Sequence, residues 1–485
     1  MANATLAVQP NDKREIFGWA MYDWANSAFS TTVGTVFLGP YVASLATHAA
    51  KAEFLIRNGV EWNDKLHAPL VASFFGIPVA PDSFLPYAVS LSVGLQVLFL
   101  PILGAIADYS HLRKRMMQIF AVIGALTTAA MFSVTGDVWW LGGVLFVIAN
   151  LAFGAAMVFY NAYLPDIASE DKRDSVSSFG WAMGYLGGGL LLVLNLALFV
   201  LSDTKTGLQL GTLVINAGLA IRINLASAGL WWLGWSFITF STVRPRHAVR
   251  QLPPGENYLT IGFKQLRQTF GEANHYPHTI RFLAAYLIYN DGIQTVIAVA
   301  ATFAAAPLIR GGLEIGQGTL TMVILMIQFV AFGGALVFGW LAGKFGAKNT
   351  LIGSLVIWAA VVIYAYGGLR GAAEVMGMPQ REFEFWILGA FIALVMGGSQ
   401  ALSRSLFAQM IPPGKEAEFF SIYEVSERGT SWIGPLLFGL VNQVLGSLRP
   451  AILSLIFFFI VGLIGLTFFV NVPRAIQESK AAPTN

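Results

Sequence analysis

Apolar segments long enough to cross a lipid bilayer recur along the whole of this chain. A transmembrane helix needs about 20 predominantly apolar residues. Only 11% of the 485 residues are charged, whereas soluble domains carry about 25%. We therefore predict an all-α integral membrane protein with twelve transmembrane helices. The predicted segments lie at roughly 17–45, 84–107, 116–135, 138–162, 176–201, 221–243, 279–306, 315–341, 350–368, 383–410, 419–446 and 448–471.

Lysine and arginine are distributed unequally between the two sides of this topology. Cytoplasmic loops of membrane proteins are enriched in both residues. With the N-terminus inside, 18 of the 29 lie in inner segments and eight in outer ones. The other three, Arg222, Arg404 and Arg428, fall at membrane depth. We expect both termini in the cytoplasm, and a bacterial inner membrane as the location, since the predicted outer loops contain no N-glycosylation sequon.

The longest inner connection divides the twelve segments into two sets of six. We predict an N-terminal six-helix bundle at 1–243, a cytoplasmic linker at 244–278 and a C-terminal six-helix bundle at 279–485. Matched landmarks support an internal repeat. "GAIADYSHLRKR" ends segment 2 and "GWLAGKFGAKN" ends segment 8. Two related halves predict a pseudo-two-fold axis along the membrane normal, with a binding site between the halves.

A second pair of landmarks agrees in spacing. Pro165 precedes Gly187 by 22 residues, and Pro412 precedes Gly434 by 22 residues. The spacing places corresponding glycines in segments 5 and 11. We therefore expect the two bundles to be pseudo-symmetric.

Polar side chains occur in the middle of several predicted segments, where they are costly unless they face a cavity or a partner. Two segments carry them at i, i+3, i+4 and i+7, which is one helix face: Asp23, Asn26, Ser27 and Ser30 in segment 1, and Glu424, Glu427, Arg428 and Ser431 in segment 11. Others are Asn290, Asp291 and Gln294 in segment 7, Gln328 in segment 8, and Ser399, Gln400, Ser403 and Arg404 in segment 10. A polar layer drawn from several helices predicts a central aqueous cavity.

Several motifs are similar to those of one transporter family. The loop after segment 2 resembles the signature of the major facilitator superfamily. "GWAMYDWANSAF", "LPDIA", "MGYLGGGLLL", "YNDGIQT", "GGSQALSRSLFAQMIP" and "EAEFFSIYEVS" resemble the vacuole-effluxer (autophagy-related) family within it. The resemblance implies the major facilitator fold and efflux of neutral amino acids. His111 and Leu112 depart from the first loop signature, and Gly343 replaces its acidic residue in the second copy.

The resemblance also implies a gate at the inner edge. Asp108, Arg113 and Lys114 carry over from the superfamily loop signature. An acid at the end of segment 2 can meet the N-terminus of segment 11, and the basic residues can hold neighbouring carboxylates. The alternative is that these basic residues only follow the positive-inside rule.

Candidate coupling and binding residues come from the polar layer. Asp23 and Asp291 are the predicted proton-coupling residues, because alternating environments can load and unload a carboxylate. The predicted substrate-binding residues are Tyr22, Asn26, Asn290, Gln294, Gln328, Gln400, Arg404, Glu427 and Arg428.

Structural alternatives remain open for five polar residues at membrane depth. Asp23 can favour a helix N-terminus or pair with an arginine. Asp291 can be a neutral, hydrogen-bonded acid. Arg404 can extend to the inner face. Glu424 and Arg428, at i and i+4, can form a structural ion pair.

Motifs of enzymes and metal sites do not occur in the sequence. There is no cysteine, no P-loop, no H-E-x-x-H and no G-x-S-x-G. We expect no catalytic activity, no metal and no cofactor. A net charge of +3 is too small to predict nucleic-acid binding.

These observations predict a secondary active transporter that works by alternating access. The expected substrate is a small polar or zwitterionic solute, amino-acid-like, and the expected mode is proton-coupled efflux. The expected partners are this solute, protons and membrane lipids, and we expect a monomer. Two alternatives remain: a lipid or amphiphile flippase on the same fold, and a membrane receptor that does not transport.

Overall fold

The structure is a computed structural model, which describes residues 10–63, 70–108, 112–204, 206–245, 276–371, 373–428 and 433–481. Most of the predicted linker 244–278 lies outside these residues. The helices of the N-terminal half are α1 (Lys13–Asn58), α2 (Pro81–Asp108), α3 (Arg113–Ala130), α4 (Leu141–Asn161), α5 (Arg173–Ser202) and α6 (Ala217–Thr242).

The C-terminal half follows the same order. Its helices are α7 (Pro277–Ala305), α8 (Gln317–Phe345), α9 (Ala347–Gly367), α10 (Gln380–Gln409), α11a (Glu416–Arg428), α11b (Ile433–Leu445) and α12 (Leu448–Phe469). Shorter helices are Leu164–Ile167 and Val472–Ala481, with 3₁₀ turns at Met131–Ser133, Gly136–Val138 and Leu308–Arg310.

Ten of the described helices are long and apolar enough to cross a membrane. The other two predicted segments correspond to α6, which has 26 residues, and to α11, which is described in two parts. The all-α membrane class is therefore confirmed. The number of twelve spans stays a prediction.

The first helix is longer than the sequence indicates. The predicted segment ends near residue 45, but α1 continues to Asn58 and includes a π-helical stretch at Phe29–Phe37. Residues 46–58 are mostly good helix formers, and Glu53 and Arg57 form an i, i+4 ion pair of 2.5 Å. Gly59, with φ +68°, ends the helix by donating its N–H to the Leu55 carbonyl.

Three antiparallel β-hairpins lie in loops that are predicted to be outside. Their strands are β1 (Ala72–Phe74) with β2 (Ile77–Val79), β3 (Leu208–Leu210) with β4 (Leu213–Ile215), and β5 (Glu374–Val375) with β6 (Met378–Pro379). Gly76, Gly211 and Gly377 occupy the turns with positive φ, a conformation that tight hairpins require. We call this side of the molecule the hairpin end.

The opposite side, which we call the basic end, holds both chain termini of the described structure. The Asn11 N–H donates to the Ile167 carbonyl at 2.8 Å. Arg244, just after α6, pairs with Asp12 at 2.6 Å. Lys348, at the start of α9, donates to the Val470 carbonyl at 2.8 Å. These contacts join loops that the sequence predicts to be cytoplasmic.

Corresponding glycines make corresponding close contacts in the two halves. A Cβ atom on Gly187 of α5 would lie 2.5 Å from the Trp24 carbonyl oxygen of α1. A Cβ atom on Gly434 of α11b would lie 3.2 Å from the Asp291 carbonyl oxygen of α7. The α1–α5 and α7–α11 pairs are therefore equivalent, as the repeat predicts.

Glycines also bring the two halves together. A Cβ atom on Gly104 of α2 would lie 2.5 Å from the Ala417 carbonyl oxygen of α11a. A Cβ atom on Gly339 of α8 would lie 2.6 Å from the Ser178 side chain of α5. Both glycines belong to the repeated loop motif. Their lack of a side chain permits close approach of the helices.

Candidate functional site

A buried ion pair joins the two halves. Nη1 of Arg404 in α10 lies 3.1 Å from Oδ2 of Asp23 in α1. Asp23 is 5% exposed and Arg404 is 1% exposed. Tyr160 in α4 donates its hydroxyl to the same Asp23 oxygen at 2.7 Å. A charge at membrane depth needs a partner of opposite sign, and these two residues satisfy each other.

The guanidinium of Arg404 is fully engaged by the N-terminal half. Its Nε donates to the Ser177 hydroxyl at 2.9 Å, and its Nη2 donates to the Ser177 carbonyl at 2.8 Å. Nη1 also donates to Asn161 Oδ1 at 3.3 Å. Arg404 therefore lies between the two halves. It does not extend to the inner face.

Three aromatic rings surround the same guanidinium. The Cζ atom of Arg404 lies 5.0 Å from the ring centroid of Trp19, 5.7 Å from that of Tyr160 and 5.4 Å from that of Trp181. Trp19 stacks on Tyr160 with 4.5 Å between centroids, and its indole donates to the Tyr160 carbonyl at 2.9 Å. Ring faces attract cations within about 6 Å, so these rings add to the attraction of the carboxylate.

A second polar contact crosses between α4 and α11. Asn161 donates through Nδ2 to Glu424 Oε1 at 2.7 Å, and its Oδ1 accepts from Arg404. The residues Asp23, Arg404, Asn161 and Glu424 therefore form one chain of hydrogen bonds across both halves. The predicted Glu424–Arg428 ion pair is not described, because the Arg428 side chain lies outside the described part.

The predicted gating residue Asp108 is the last residue of α2, and its carboxylate contacts the N-terminus of α11a. Its carboxylate accepts from the backbone N–H groups of Ala417 at 3.0 Å and Glu418 at 2.8 Å. A helix N-terminus carries a partial positive charge and unpaired donors, so a carboxylate is favourable there. This contact holds α2 against α11a at the basic end.

Arg113 connects that carboxylate to two further acids. Its guanidinium lies 3.0 Å from Asp108, 3.0 Å from Asp166 and 3.3 Å from Glu416. Glu416 belongs to the C-terminal half, so this cluster joins the halves. Lys114 is half-buried and is not part of the described ion pairs of this cluster.

The equivalent edge of the other half lacks the acid. Gly343 stands at the position that Asp108 has in the first copy of the motif. Here the halves are joined differently: Arg173 donates to the Ala408 carbonyl at 3.2 Å, and Gln409 donates to Asp174 at 3.0 Å. Contacts at both edges close the basic end.

Asp291, the second predicted proton-coupling residue, is buried between α7 and α11b. Its Oδ2 accepts from the Gly434 N–H at 2.8 Å. Its Oδ1 has no hydrogen-bond donor among the described residues, and the residue is 1% exposed. Unlike Asp23, it has no cation within salt-bridge distance in the described part of the chain.

The other predicted substrate-binding residues do not form one group. Asn26 donates to the Met157 sulfur at 3.3 Å inside the N-terminal half, and Tyr22 packs against Tyr160. Asn290 donates to the Glu427 carbonyl at 2.9 Å inside the C-terminal half. These buried contacts stabilise each half.

Two glutamines lie at the junction between α5 and the C-terminal half. Gln400 of α10 accepts a hydrogen bond from Tyr185 of α5. Gln328 of α8 packs against Gly189 of α5, and its Oε1 has no donor among the described residues. Gln294 of α7 is half-buried. Gln400 and Gln328 therefore border the interface of the two halves.

The sequence reasoning missed several residues of the site. They are Trp19, Tyr160, Asn161, Ser177 and Trp181 around Arg404, and Asp166 and Glu416 in the basic cluster. Trp19 lies four residues before Asp23 and so shares its helix face, which was a usable signal. Asp166 and Glu416 lie in the quoted motifs "LPDIA" and "EAEFFSIYEVS". Tyr160, Asn161, Ser177 and Trp181 had no such signal.

One further ion pair lies outside the membrane-spanning segments. Glu170, between α4 and α5, lies 2.7 Å from Lys480 in the C-terminal helix. The hydrogen bond from Lys480 lowers the pKa of Glu170. Among the described residues, no group of three or more His, Asp or Glu side chains has the arrangement of a metal site.

A family model for vacuole effluxer Atg22-like proteins matches residues 11–480. The chain belongs to the Atg22-like vacuole effluxer family. This Atg22-like protein is 28% identical over 451 residues to an uncharacterized MFS-type transporter, YxiO, of Bacillus subtilis, covering 93% of each chain. It is 25% identical to Autophagy-related protein 22-1 of Penicillium rubens, covering 98% of this chain and 92% of the relative.

Solved structures of the major facilitator superfamily (MFS) share the fold. The Atg22-like protein superposes on the transporter FucP in the outward conformation with a TM-score of 0.62 at 12% identity, covering 95% of this chain and 99% of FucP. The proton:xylose symporter XylE gives 0.63 at 12% identity, covering 95% and 97%. These structures confirm the major facilitator fold, and the family match and the MFS-type relative confirm a membrane transporter.

Proposed function

We propose that this Atg22-like protein is a proton-coupled secondary transporter that exports a small zwitterion, such as an amino acid, by alternating access. The observation that carries the proposal is the Asp23–Arg404 ion pair, which is buried and joins the two halves. A zwitterion has one ammonium and one carboxylate. The ammonium would replace Arg404 as the partner of Asp23, and the carboxylate would replace Asp23 as the partner of Arg404.

Such an exchange avoids the main cost of moving charges through a membrane protein. Breaking a buried ion pair by removing one partner costs about 3–5 kcal/mol, because a charge is left unpaired. A zwitterion that enters between Asp23 and Arg404 pairs both charges as the halves separate. A neutral sugar would leave both unpaired, and an anion would leave Asp23 unpaired.

Alternating access requires a contact that closes one end and can open. The basic end is closed by Asp108 on the α11a N-terminus and by Arg113 with Glu416. If the basic end lies on the cytoplasmic side of a bacterial inner membrane, a conformation closed at this end is outward-facing. Gln328, Gln400 and Glu427 then belong to the polar wall of the central path.

Asp291 is the better of the two predicted proton carriers. Asp23 is already paired with the Arg404 guanidinium. The Oδ1 atom of Asp291 has no donor among the described residues, and burial disfavours a charge there. A protonated Asp291 would donate a hydrogen bond from Oδ1 when an acceptor comes within reach. The export direction follows the family description, vacuole effluxer.

The test is counterflow in proteoliposomes that contain the purified full-length protein. Vesicles loaded with one unlabelled amino acid should accumulate the same labelled amino acid from outside. Asp23→Asn and Arg404→Gln should abolish this exchange. Asp82→Asn is the matched control, because Asp82 is exposed in the first turn of α2.

The outcomes separate the alternatives. Accumulation by the wild type that both variants lose supports the proposal. Transfer of lysolipids between leaflets without amino-acid exchange would instead identify a flippase. If neither solute class moves in well-folded protein, the transport proposal is wrong.

A further inference from the structure

We propose that the N-terminal half contains a preformed site for an organic cation, which Arg404 fills in this conformation and the cationic group of the substrate fills during transport. The inference rests on the proposed function only in assuming that the two halves separate. It specifies the substrate class: a small solute must carry an ammonium or guanidinium group.

The described hydrogen bonds, ion pair and ring contacts of the Arg404 guanidinium are all made with the N-terminal half. Trp19 and Asp23 lie on α1, Tyr160 and Asn161 on α4, and Ser177 and Trp181 on α5. We call these six residues the cation box. Only the occupant, Arg404, comes from the C-terminal half. Separation of the halves would therefore empty the box but leave the contacts among Trp19, Tyr160 and Asp23 in place.

The chemistry of the box is selective for cations. The atoms that face the guanidinium are a carboxylate oxygen, the Ser177 hydroxyl and carbonyl oxygens, and the Asn161 side-chain oxygen, all acting as acceptors. Aromatic ring faces complete the wall. Aromatic cages with acidic partners bind alkylated ammonium and guanidinium groups, and they attract neither carboxylates nor neutral hydroxyls to the same degree.

Trp19, Tyr160 and Asp23 are held in place by contacts within the N-terminal half, whereas Asn161 and Ser177 also donate to Glu424 and Ala401 of the C-terminal half. Trp19 is fixed by stacking on Tyr160 and by its bond to the Tyr160 carbonyl. The Tyr160 hydroxyl fixes the Asp23 carboxylate. These bonds do not involve Arg404, so they persist when Arg404 withdraws.

A glycine provides the space for the cation. A Cβ atom on Gly180 of α5 would lie 2.8 Å from Asp23 Oδ2, 2.8 Å from the Trp19 ring and 2.9 Å from Arg404 Nη2. Any larger residue at this position would project into the box. Gly180 therefore serves as a specificity-determining position.

The box also explains how substrate binding and movement are coupled. Arg404 and the substrate cation compete for one site. A substrate that enters the box displaces Arg404 from Asp23 and so weakens the contact between α1 and α10. The displaced guanidinium is then available for the substrate carboxylate.

The first experiment is chemical rescue in the purified, detergent-solubilised full-length protein. Arg404→Ala empties the box and should lower the melting temperature. Methylguanidinium chloride should restore part of the loss, with a saturable dependence on concentration. Urea, a neutral planar analogue, should not. Methylguanidinium should not stabilise the wild type, whose box is occupied, nor the double variant Asp23→Asn, Arg404→Ala.

A second variant keeps the inference testable if Arg404→Ala does not fold. Gly180→Ala retains Arg404 and fills the box, and Gly353→Ala is its control, because a Cβ atom on Gly353 meets nothing within 4 Å. In counterflow, agmatine should inhibit exchange by the wild type and by Gly353→Ala. The inhibitory concentration should rise about tenfold or more in Gly180→Ala, which corresponds to a loss of about 1.4 kcal/mol.

The two proposals fail in different ways. Amino-acid exchange without methylguanidinium rescue, and with equal inhibition by N-acetylated and free amino acids, overturns the cation box and leaves the transport function intact. Rescue of Arg404→Ala by methylguanidinium, together with a wild type that exchanges no amino acid, supports the box and overturns the zwitterion proposal.

Discussion

The carboxylate of Asp108, the last residue of α2, accepts a hydrogen bond of 2.8 Å from the backbone N–H of Glu418 in the first turn of α11a. The two residues belong to different halves of the protein. The bond therefore uses the N-terminus of one helix to hold the other half closed at the basic end.

Replacing Asp108 by asparagine should open the basic end. Asparagine retains one acceptor for an α11a N–H but loses the charge that Arg113 and the helix N-terminus favour. Loss of one partner from a buried pair costs about 3–5 kcal/mol. We expect a lower melting temperature and faster maleimide labelling of a Ser421→Cys reporter, which is buried in the wild type. The chain has no native cysteine, so the reporter is unique.

Asp82→Asn, at the exposed start of the same helix, is the control and should leave both values unchanged. Equal labelling of the Asp108 and Asp82 variants would show that Asp108 does not hold this end closed.

Adding one methyl group at Gly104 should separate α2 from α11a. The new Cβ atom would lie 2.5 Å from the Ala417 carbonyl oxygen and 2.8 Å from Ser421 Cβ. Overpacking of this kind costs about 1–3 kcal/mol. We expect Gly104→Ala to lower the melting temperature and to speed labelling of Ala417→Cys. Gly94→Ala on the same helix meets nothing within 4 Å and should match the wild type or be slightly more stable. An unchanged melting temperature and labelling rate in Gly104→Ala would mean that α2 and α11a are not held in close contact at this position.

Replacing Asp291 by asparagine should uncouple transport from protons. Asparagine still accepts from the Gly434 N–H but cannot bind or release a proton. We expect amino-acid flux driven by a pH gradient to vanish while counterflow exchange remains. Thr295→Val, which removes a hydroxyl bonded to the Asp291 carbonyl, should keep both activities. Loss of both activities in a folded Asp291→Asn protein would instead assign Asp291 to binding or to structure.

The Glu170–Lys480 pair should make a small, pH-dependent contribution to stability. Because the folded state lowers the pKa of Glu170 below its ordinary value of 4.5, the pair stabilises the protein above that value. The contribution disappears as pH falls through the lower pKa of the folded state. Both side chains are more than half exposed, so about 0.2–1 kcal/mol is expected.

Melting temperatures of the wild type and Lys480→Ala should therefore differ at pH 7 and converge towards pH 3. The difference should shrink in 1 M salt, which screens exposed charges. Lys51→Ala, at an exposed position on α1, is the control. A difference that stays constant across this pH range would exclude the ion pair as its cause.

The membrane class and the internal repeat could be predicted from the sequence for a physical reason, whereas the gate residues came from the family resemblance. A membrane-spanning helix satisfies its own backbone within one contiguous segment, so its signal is local. The correspondence between Gly104 and Gly339 could also be predicted, since each lies in one copy of the repeated loop motif. Gly76 and Gly377 are also a local signal for hairpin turns, but we predicted only the apolar helices and no strands between them.

The pairing within the candidate site was decided by tertiary structure alone. Asp23 and Arg404 are 381 residues apart, and each was identified as a charge at depth without its partner. Trp19, Tyr160 and Trp181 are ordinary aromatic residues in apolar helices until three helices bring their faces to one point. A side chain's cost at membrane depth can be read from its own segment. The partner that offsets this cost depends on which helices meet, because the compensating charge comes from another part of the chain.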